Sequence, residues 1–125
     1  MKTQDHAINY IFTLLTEANA VTCPVYKYTK PTTVTPDEFI VLNALPIGYG
    51  VLQTVMVNVN YYVKDLASGV PDIETLECST ATVTALLDEV SAVGYMIDFE
   101  SQEYHRQSQI NYHYSNIRLS VKLIN

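Results

Sequence analysis

Positive charge is scarce in this 125-residue chain, which has 7 lysines and arginines against 13 aspartates and glutamates. None of these positive residues lies between Asp65 and His105. Binding to the phosphate backbone of nucleic acid requires clustered cations, so the sequence argues against a nucleic-acid-binding protein. The acidic segment is compatible instead with a solvated surface, with a basic protein partner, or with the wall of a channel through which DNA passes without specific binding.

Long apolar runs and cysteine motifs are also missing. No segment approaches the roughly 18 consecutive apolar residues of a membrane span, and MKTQDHAINY lacks the apolar core of a signal peptide. We therefore expect a protein without a membrane contact that is made in the cytoplasm. Cys23 and Cys78 are the two cysteines and form no CxxC motif, so we predict reduced, packed thiols and neither a metal nor a redox site.

The sequence contains none of the common catalytic motifs, neither GxSxG nor HExxH nor a phosphate-binding glycine loop. His105 and His113 could face each other across a turn and bind a metal with Glu103. Two histidines that flank a polar turn are more often solvated, so we predict no metal and no cofactor. The sequence therefore predicts a protein that is not an enzyme.

Tyrosine and small polar residues take the place of charge. Charged residues make up 16% of the chain, below the roughly 25% of an average soluble domain, while there are ten tyrosines and no tryptophan. Tyrosine gives a large amphipathic contact area and is enriched in interfaces, although half-exposed tyrosines are also common in sheets. Composition thus leaves both interpretations open.

The first part of the chain predicts a helix, a short strand and a loop. Ile8, Ile11 and Leu15 recur at helical spacing and indicate a helix over about residues 5–19, with Thr3 or Asp5 as its N-cap. The β-branched and aromatic run near 21–28 contains Pro24, which favours an edge strand. TKPTTVTPD then reads as an extended loop.

Two strands and a second helix follow. EFIVLNAL, residues 38–45, and the alternating run from 51 to 63 predict a hairpin with a reversal at PIGYG. Asp72 is placed to cap a helix that ends near Gly94, and its apolar positions are Ile73, Leu76, Val83, Leu86, Leu87 and Val90. We expect this helix to pack on the sheet.

The C-terminal third predicts two closing strands. In the first, Tyr95, Ile97 and Phe99 should point inward, and in NIRLSVKLI the inward residues should be Ile117, Leu119, Val121 and Leu123. The order α-β-β-β-α-β-β lacks the alternation of a parallel sheet. It predicts one α+β domain, residues 1–125, in which an antiparallel β-sheet of about five strands carries both helices on one face.

The strand VLQTVMVNVNYYVKD, from Val51 to Asp65, has an unusual second face. Its valines alternate and should point into the core. The other face carries Thr54, Asn58, Asn60 and Tyr62 in place of the charged residues of an ordinary solvated strand. Core packing alone does not account for these residues.

The element order, together with VYKYTKPTTVTPDEFIVLNAL, VMVNVNYYVKD, TATVTALLDEV and NIRLSVKLI, resembles the tail terminator proteins of long-tailed bacteriophages, also called tail completion or neck proteins. The resemblance covers nearly the whole chain and concerns pattern and order, since no invariant motif is available to match. It implies a structural virion protein at the neck or top of the tail, assembled in the host cytoplasm. Such a protein typically forms a homo-hexameric ring that caps the tail tube and stops its growth.

The resemblance also implies partners, namely other copies of the chain, the major tail tube protein, and a head-closure or connector protein, with DNA passing without specific binding. The family has no catalytic residues to transfer. For the subunit interface we select the loop from Lys27 to Asp37 and the polar strand face, with the candidate residues Lys30, Thr32, Thr33, Asn58, Asn60 and Tyr62. Charge depletion is expected at the centre of such an interface.

Two alternatives stay open. The chain could be a small non-enzymatic binding module of a mobile element that uses the tyrosine and asparagine surface to hold a peptide or small ligand. It could also be another head–tail joining protein or a protein of the tail tube, since these could show a similar pattern.

Overall fold

The computed structural model describes residues 4–17, 21–29, 36–48, 52–88, 95–107 and 110–124. Its elements in chain order are α1 (Gln4–Glu17), β1 (Val25–Lys27), β2 (Glu38–Gly48), β3 (Leu52–Lys64), α2 (Ile73–Asp88), β4 (Tyr95–Gln107) and β5 (Tyr112–Ile124). This order confirms the predicted α+β class. Asp5, one of the two predicted N-caps of α1, lies inside the helix and is not its cap, because the helix already includes Gln4. The other predicted cap, Thr3, and the predicted helix ends near residue 19 and Gly94 lie outside the described residues.

The five strands form one sheet in the order β1-β2-β3-β5-β4. The β2–β3, β3–β5 and β4–β5 pairs are antiparallel, whereas β1 runs parallel to β2. The expectation of a wholly antiparallel sheet was therefore wrong at this edge. A parallel neighbour requires a long return connection, and the chain between Lys27 and Glu38 provides one. As predicted, the strand after Pro24 lies at the edge of the sheet.

Both helices lie on one face of the sheet, since their buried residues join a single core cluster with those of the strands. α1 buries Ala7, Ile8, Ile11 and Leu15. α2 buries Leu76, Ser79, Val83 and Leu87. Ile73, predicted as an apolar contact of α2, is 43% exposed at the first residue of the helix.

The core lies between the helices and the sheet, and the alternation of the central strands creates it. The buried members are Val55, Val57, Val59, Tyr61 and Val63 on β3, and Ile117, Leu119, Val121 and Leu123 on β5. Burying a valine or leucine side chain is worth about 1.5–3 kcal/mol before entropy is counted. The predicted inward positions of both strands are confirmed, except Val51, which lies outside the described residues.

The thiols are both free, but only one is packed. Cys23 is half-buried beside the core, and burial raises the pKa of its thiol. Cys78 is exposed on α2, so the prediction of two packed thiols was wrong for this residue. Helix periodicity explains the exposure, since Cys78 lies between the buried positions Leu76 and Ser79 on the outer side of the helix.

β4 departs from the predicted pattern. Tyr95 and Ile97 pack against the core, but Phe99, predicted to point inward, is 40% exposed. The register with β5 shifts between Phe99 and Ser101, and every residue from Asp98 to Arg106 is exposed. β4 therefore extends past the layer of helices as the last strand of the sheet. Among the described residues, neither helix is long and apolar enough to cross a membrane.

Candidate interaction face

The side of the sheet opposite the helices, here called the open face, carries the residues that alternate with the core positions. On β3 these are Met56, Asn58, Asn60 and Tyr62, which lie between the buried valines. Their directly opposite partners on β2 and β5 share the same face. Neither helix covers the open face, because both pack on the core side.

Four rings form a row across four strands of the open face, here called the aromatic row. Phe39 stacks on Tyr62 with 4.6 Å between ring centroids, and Tyr62 stacks on Tyr114 at 4.7 Å. His105 continues the row at 5.2 Å from Tyr114. Each contact joins residues that are directly opposite in the strand register. Such pairs add about 0.5–1.5 kcal/mol beyond area burial, so the row holds the strands in register.

Beside the aromatic row lies an amide network of hydrogen-bonded side chains. Asn58 Nδ2 donates to Asn43 Oδ1 at 2.8 Å, and Arg118 Nε donates to Asn58 Oδ1 at 3.1 Å. Asn116 Nδ2 donates to Asn60 Oδ1 at 2.7 Å. Asparagine has low strand propensity, and its amide is costly to bury without a partner. The network meets that cost by pairing asparagines across three strands.

The structure brings together three of the residues selected from the sequence. Asn58 and Asn60 are buried within the single chain, with 8% and 7% exposed, and Tyr62 is half-buried between two rings. Hydrogen bonding within the chain therefore accounts for the asparagines without a partner subunit. Their assignment to an interface stays a prediction. Lys30, Thr32 and Thr33 lie outside the described residues.

Apolar side chains flank the amide network at the end of the open face away from the aromatic row. Leu45 on β2 is 60% exposed and Met96 on β4 is 49% exposed. Met56 lies directly opposite Leu45 and is half-buried. Leu45 and Met56 therefore form an apolar edge beside the polar centre, while Met96 is separated from them by Ser120 and by the ion pair of Lys122 Nζ with Asp98 Oδ2 at 3.2 Å.

A hollow of about 230 Å³ occupies the other end of the open face. Its walls are Tyr28, Phe39, Val41, Tyr62, Gln107 and Ile110. Tyr112 closes the cluster below Phe39, and its hydroxyl donates to the Pro36 carbonyl at 2.5 Å. Burial raises the pKa of both Tyr62 and Tyr112.

The histidines weighed as metal ligands do not converge. His105 lies on the open face, with its Nε2 3.2 Å from Glu103 Oε2, and both side chains are largely exposed. His113 lies opposite Val63 on the core side of the sheet. Among the described residues, no group of three or more His, Cys, Asp or Glu side chains could hold a metal ion.

Sequence reasoning missed a buried pair at the end of β3. Asp65 Oδ1 lies 2.6 Å from His113 Nδ1, and the exposed fractions of the two side chains are 1% and 14%. A carboxylate at Nδ1 fixes the tautomer and orientation of an imidazole. The described residues supply no hydroxyl or thiol that is hydrogen-bonded to this imidazole, so the arrangement orients His113 without activating a nucleophile.

Acidic side chains surround a cleft of about 340 Å³ next to this pair, but most of them have structural partners. Asp72 caps α2 by accepting from Thr75 N at 3.2 Å and from Thr75 Oγ1 at 2.8 Å. Glu38 Oε1 accepts from the Tyr61 hydroxyl at 3.0 Å. The geometry of the cleft is thus that of a structural junction.

No known protein family matches the sequence, and no curated protein is significantly similar to it.

Proposed function

We propose that this protein is a structural virion protein of a long-tailed bacteriophage or prophage, whose copies form a ring that caps the tail tube, stops its growth and joins it to the head-side connector. The single observation that carries the proposal is the open face. Its centre is uncharged except for Arg118, and its side chains are fixed to one another by stacking and amide hydrogen bonds.

A fixed face of this kind suits assembly. Side chains that are already ordered lose little conformational entropy when a second protein covers them, so more of the contact energy remains for binding. Tyrosine enrichment and charge depletion are the composition expected at the centre of an interface. The apolar edge at Leu45 and Met56 adds area that gains from being removed from water.

The order of the helices and strands supports the assignment of the chain to the tail terminators. The order of two helices and five strands is the one on which the resemblance to tail terminators rests. Glu74, Glu77 and Asp88 are exposed on α2. An acidic surface would repel DNA that moves along a channel, which agrees with passage without specific binding. No catalytic step is required.

The test uses tail tubes assembled from the tube protein that is encoded beside this chain. Electron microscopy should show rings at tube ends when the wild-type protein is added. Leu45→Glu should abolish capping, because it places a charge on the apolar edge of the open face. Leu66→Glu is the matched control, since Leu66 is 71% exposed and lies in the loop after β3. A wild-type protein that neither forms rings nor binds tubes would refute the proposal.

A binding module that holds a peptide or small ligand is the second candidate, and the hollow beside Tyr62 is the observation that favours it. It predicts that Tyr62→Ala abolishes binding of one isolated ligand and leaves any assembly intact. Calorimetry and tube capping, measured on the same variant, separate the two functions. Loss of capping with no ligand effect would favour the structural role.

A further inference from the structure

β4 ends the sheet and is unusually accessible for a strand of this length. It spans Tyr95–Gln107, pairs on one side with β5, and is exposed from Asp98 through Arg106. No other strand of the described residues pairs with β4, so the backbone groups on its outer side can take another strand, which is how extended segments add to a sheet. The segment Ser101–Gln107 is the regular part, because the register shift lies before Ser101.

Charges on an edge strand usually prevent pairing, but in this segment they specify one register. Antiparallel pairing of the segment with itself, centred on Tyr104, places Glu103 opposite His105 of the second copy, twice by symmetry. It also places Gln102 opposite Arg106. Centring on Glu103 or on Arg106 would instead set like charges opposite each other, which is destabilising. Centring on Gln102 or His105 leaves Glu103 without an imidazole opposite it.

We propose that Ser101–Gln107 of β4 pairs antiparallel with the same segment of a second copy, with Tyr104 on the two-fold axis. The two five-stranded sheets then form one continuous sheet. On the open face, the carboxylate–imidazole contact that Glu103 and His105 make within one chain at 3.2 Å is repeated between chains. On the core side, the two Tyr104 rings, each 40% exposed in the single chain, cover each other.

A second copy fits this edge better than an unrelated strand, because the complementarity lies within the segment itself. An isologous contact is self-complementary, and the Glu103–His105 spacing satisfies that requirement about Tyr104. Such a contact closes after two copies. It therefore stands independently of the proposed ring, whose subunit contacts must use other surfaces.

The test exchanges the charges at positions 103 and 105 and measures self-association by sedimentation equilibrium. One variant carries Glu103→Lys with His105→Lys, and the other carries His105→Glu. Each alone should self-associate at least about tenfold more weakly than wild type, because both attractive cross-strand pairs become repulsive. An equimolar mixture should recover the dimer, since each introduced lysine then faces a carboxylate. The matched control, Glu74→Lys with Glu77→Lys on α2, should dimerise as wild type does.

A disulfide at the two-fold axis reports the register. In a Cys78→Ser background, Tyr104→Cys should give an intermolecular disulfide on mild oxidation, whereas Gln102→Cys should not, because its partner is Arg106. A monomeric wild type, charge variants that dimerise undiminished, a mixture that stays monomeric, or equal crosslinking at both positions would each overturn the proposal. Circular dichroism of every variant verifies that the fold is retained.

Discussion

Asp65 and His113 form a buried contact that joins the end of β3 to the beginning of β5. Their side-chain atoms Oδ1 and Nδ1 are 2.6 Å apart, and the Asp65 amide also donates to the Asn111 carbonyl at 3.0 Å. Asn111 adopts a positive φ of 56°, which lets the chain turn into β5 at this point. Asp65 thus holds both the backbone turn at Asn111 and the side chain of His113, which is the first side chain of β5 on the core side.

Replacing that carboxylate should destabilise the fold. Asp65→Asn should lower the free energy of unfolding by about 1–2 kcal/mol, because His113 Nδ1 then meets a neutral amide oxygen in place of a carboxylate oxygen at a buried site. Urea unfolding followed by circular dichroism measures the change. Glu77→Gln makes the same carboxylate-to-amide change at an exposed position of α2 and should change stability by less than about 0.5 kcal/mol. Equal effects of the two variants would contradict a structural role for Asp65.

Alkaline pH should destabilise the protein through its buried and half-buried tyrosines. Burial raises the pKa of Tyr10, Tyr61, Tyr62 and Tyr112 above the ordinary value of 10.0, most strongly for Tyr61. Above about pH 10 the unfolded chain loses these protons while the folded chain keeps them. The folded state then binds more protons, so the free energy of unfolding falls as pH rises.

The measurement is urea unfolding at several pH values, combined with the ultraviolet absorbance of tyrosinate. Tyr61→Phe should make the decline above pH 10 less steep, because one retained proton is removed from the difference between the states. Tyr28→Phe is the control, since Tyr28 is 44% exposed. A decline of unchanged steepness in Tyr61→Phe would exclude Tyr61 as a contributor.

The cap of α2 gives a local test of helix stability. Asp72 was predicted as the cap from its position, and its carboxylate accepts from Thr75 N and Thr75 Oγ1. Asp72→Ala should cost about 1 kcal/mol, and Asp72→Asn should recover most of that loss because an amide oxygen also caps. Urea midpoints of the three proteins measure the difference. Failure of asparagine to recover stability would indicate that Asp72 acts through the acidic cleft rather than as a cap.

Periodicity was sufficient to predict both helices, the central strands and their inward faces. Val55, Val57 and Val59 could be placed because a strand alternates with a period of two, and Leu76 and Val83 because a helix has a buried stripe. The same reasoning placed Asn58, Asn60 and Tyr62 on one face. Local pattern determines these assignments because each depends only on neighbours along the chain.

Contacts between distant strands could not be predicted in the same way. The β2–β3 hairpin turn constrains which residue lies opposite Asn58, but α2 and β4 separate β3 from β5 in the chain. The pairings of Asn58 with Arg118, of Tyr62 with Tyr114 and the contact of Asp65 with His113 therefore depend on a register that no turn sets.

The amide network should show measurable coupling between its members. Asn43→Ala and Asn58→Ala each remove one side of the 2.8 Å hydrogen bond, so the double variant should lose less stability than the sum of the single variants. We expect a coupling free energy of about 1 kcal/mol in a urea-based double-mutant cycle. Asn43→Ala combined with Thr82→Ala, on α2 across the sheet, should be additive to within about 0.5 kcal/mol. Additivity in both cycles would mean that the amide contact contributes no stability.

The aromatic row should stabilise the fold through its rings rather than through its hydroxyls. Tyr62 lies between Phe39 and Tyr114. Its ring plane is inclined by 8° to that of Phe39 and by 29° to that of Tyr114. Tyr62→Phe keeps both stacked contacts and should leave the urea midpoint nearly unchanged. Tyr62→Leu keeps an apolar side chain but loses both contacts, and should cost about 1–2 kcal/mol.

Urea midpoints separate these effects. Near-ultraviolet circular dichroism should show the tyrosine signal reduced in Tyr62→Leu but not abolished, because the Tyr10–Tyr95 stack remains, while the far-ultraviolet spectrum stays unchanged. Tyr28→Leu, outside the aromatic row and 44% exposed, should alter neither stability nor the stacked signal. If Tyr62→Phe destabilised the protein as much as Tyr62→Leu, the hydroxyl rather than the stacked ring would account for Tyr62. Another outcome is that stability falls only in Tyr62→Leu while tube capping persists. The aromatic row would then serve to hold the strands in register, and assembly would depend on the apolar residue Leu45.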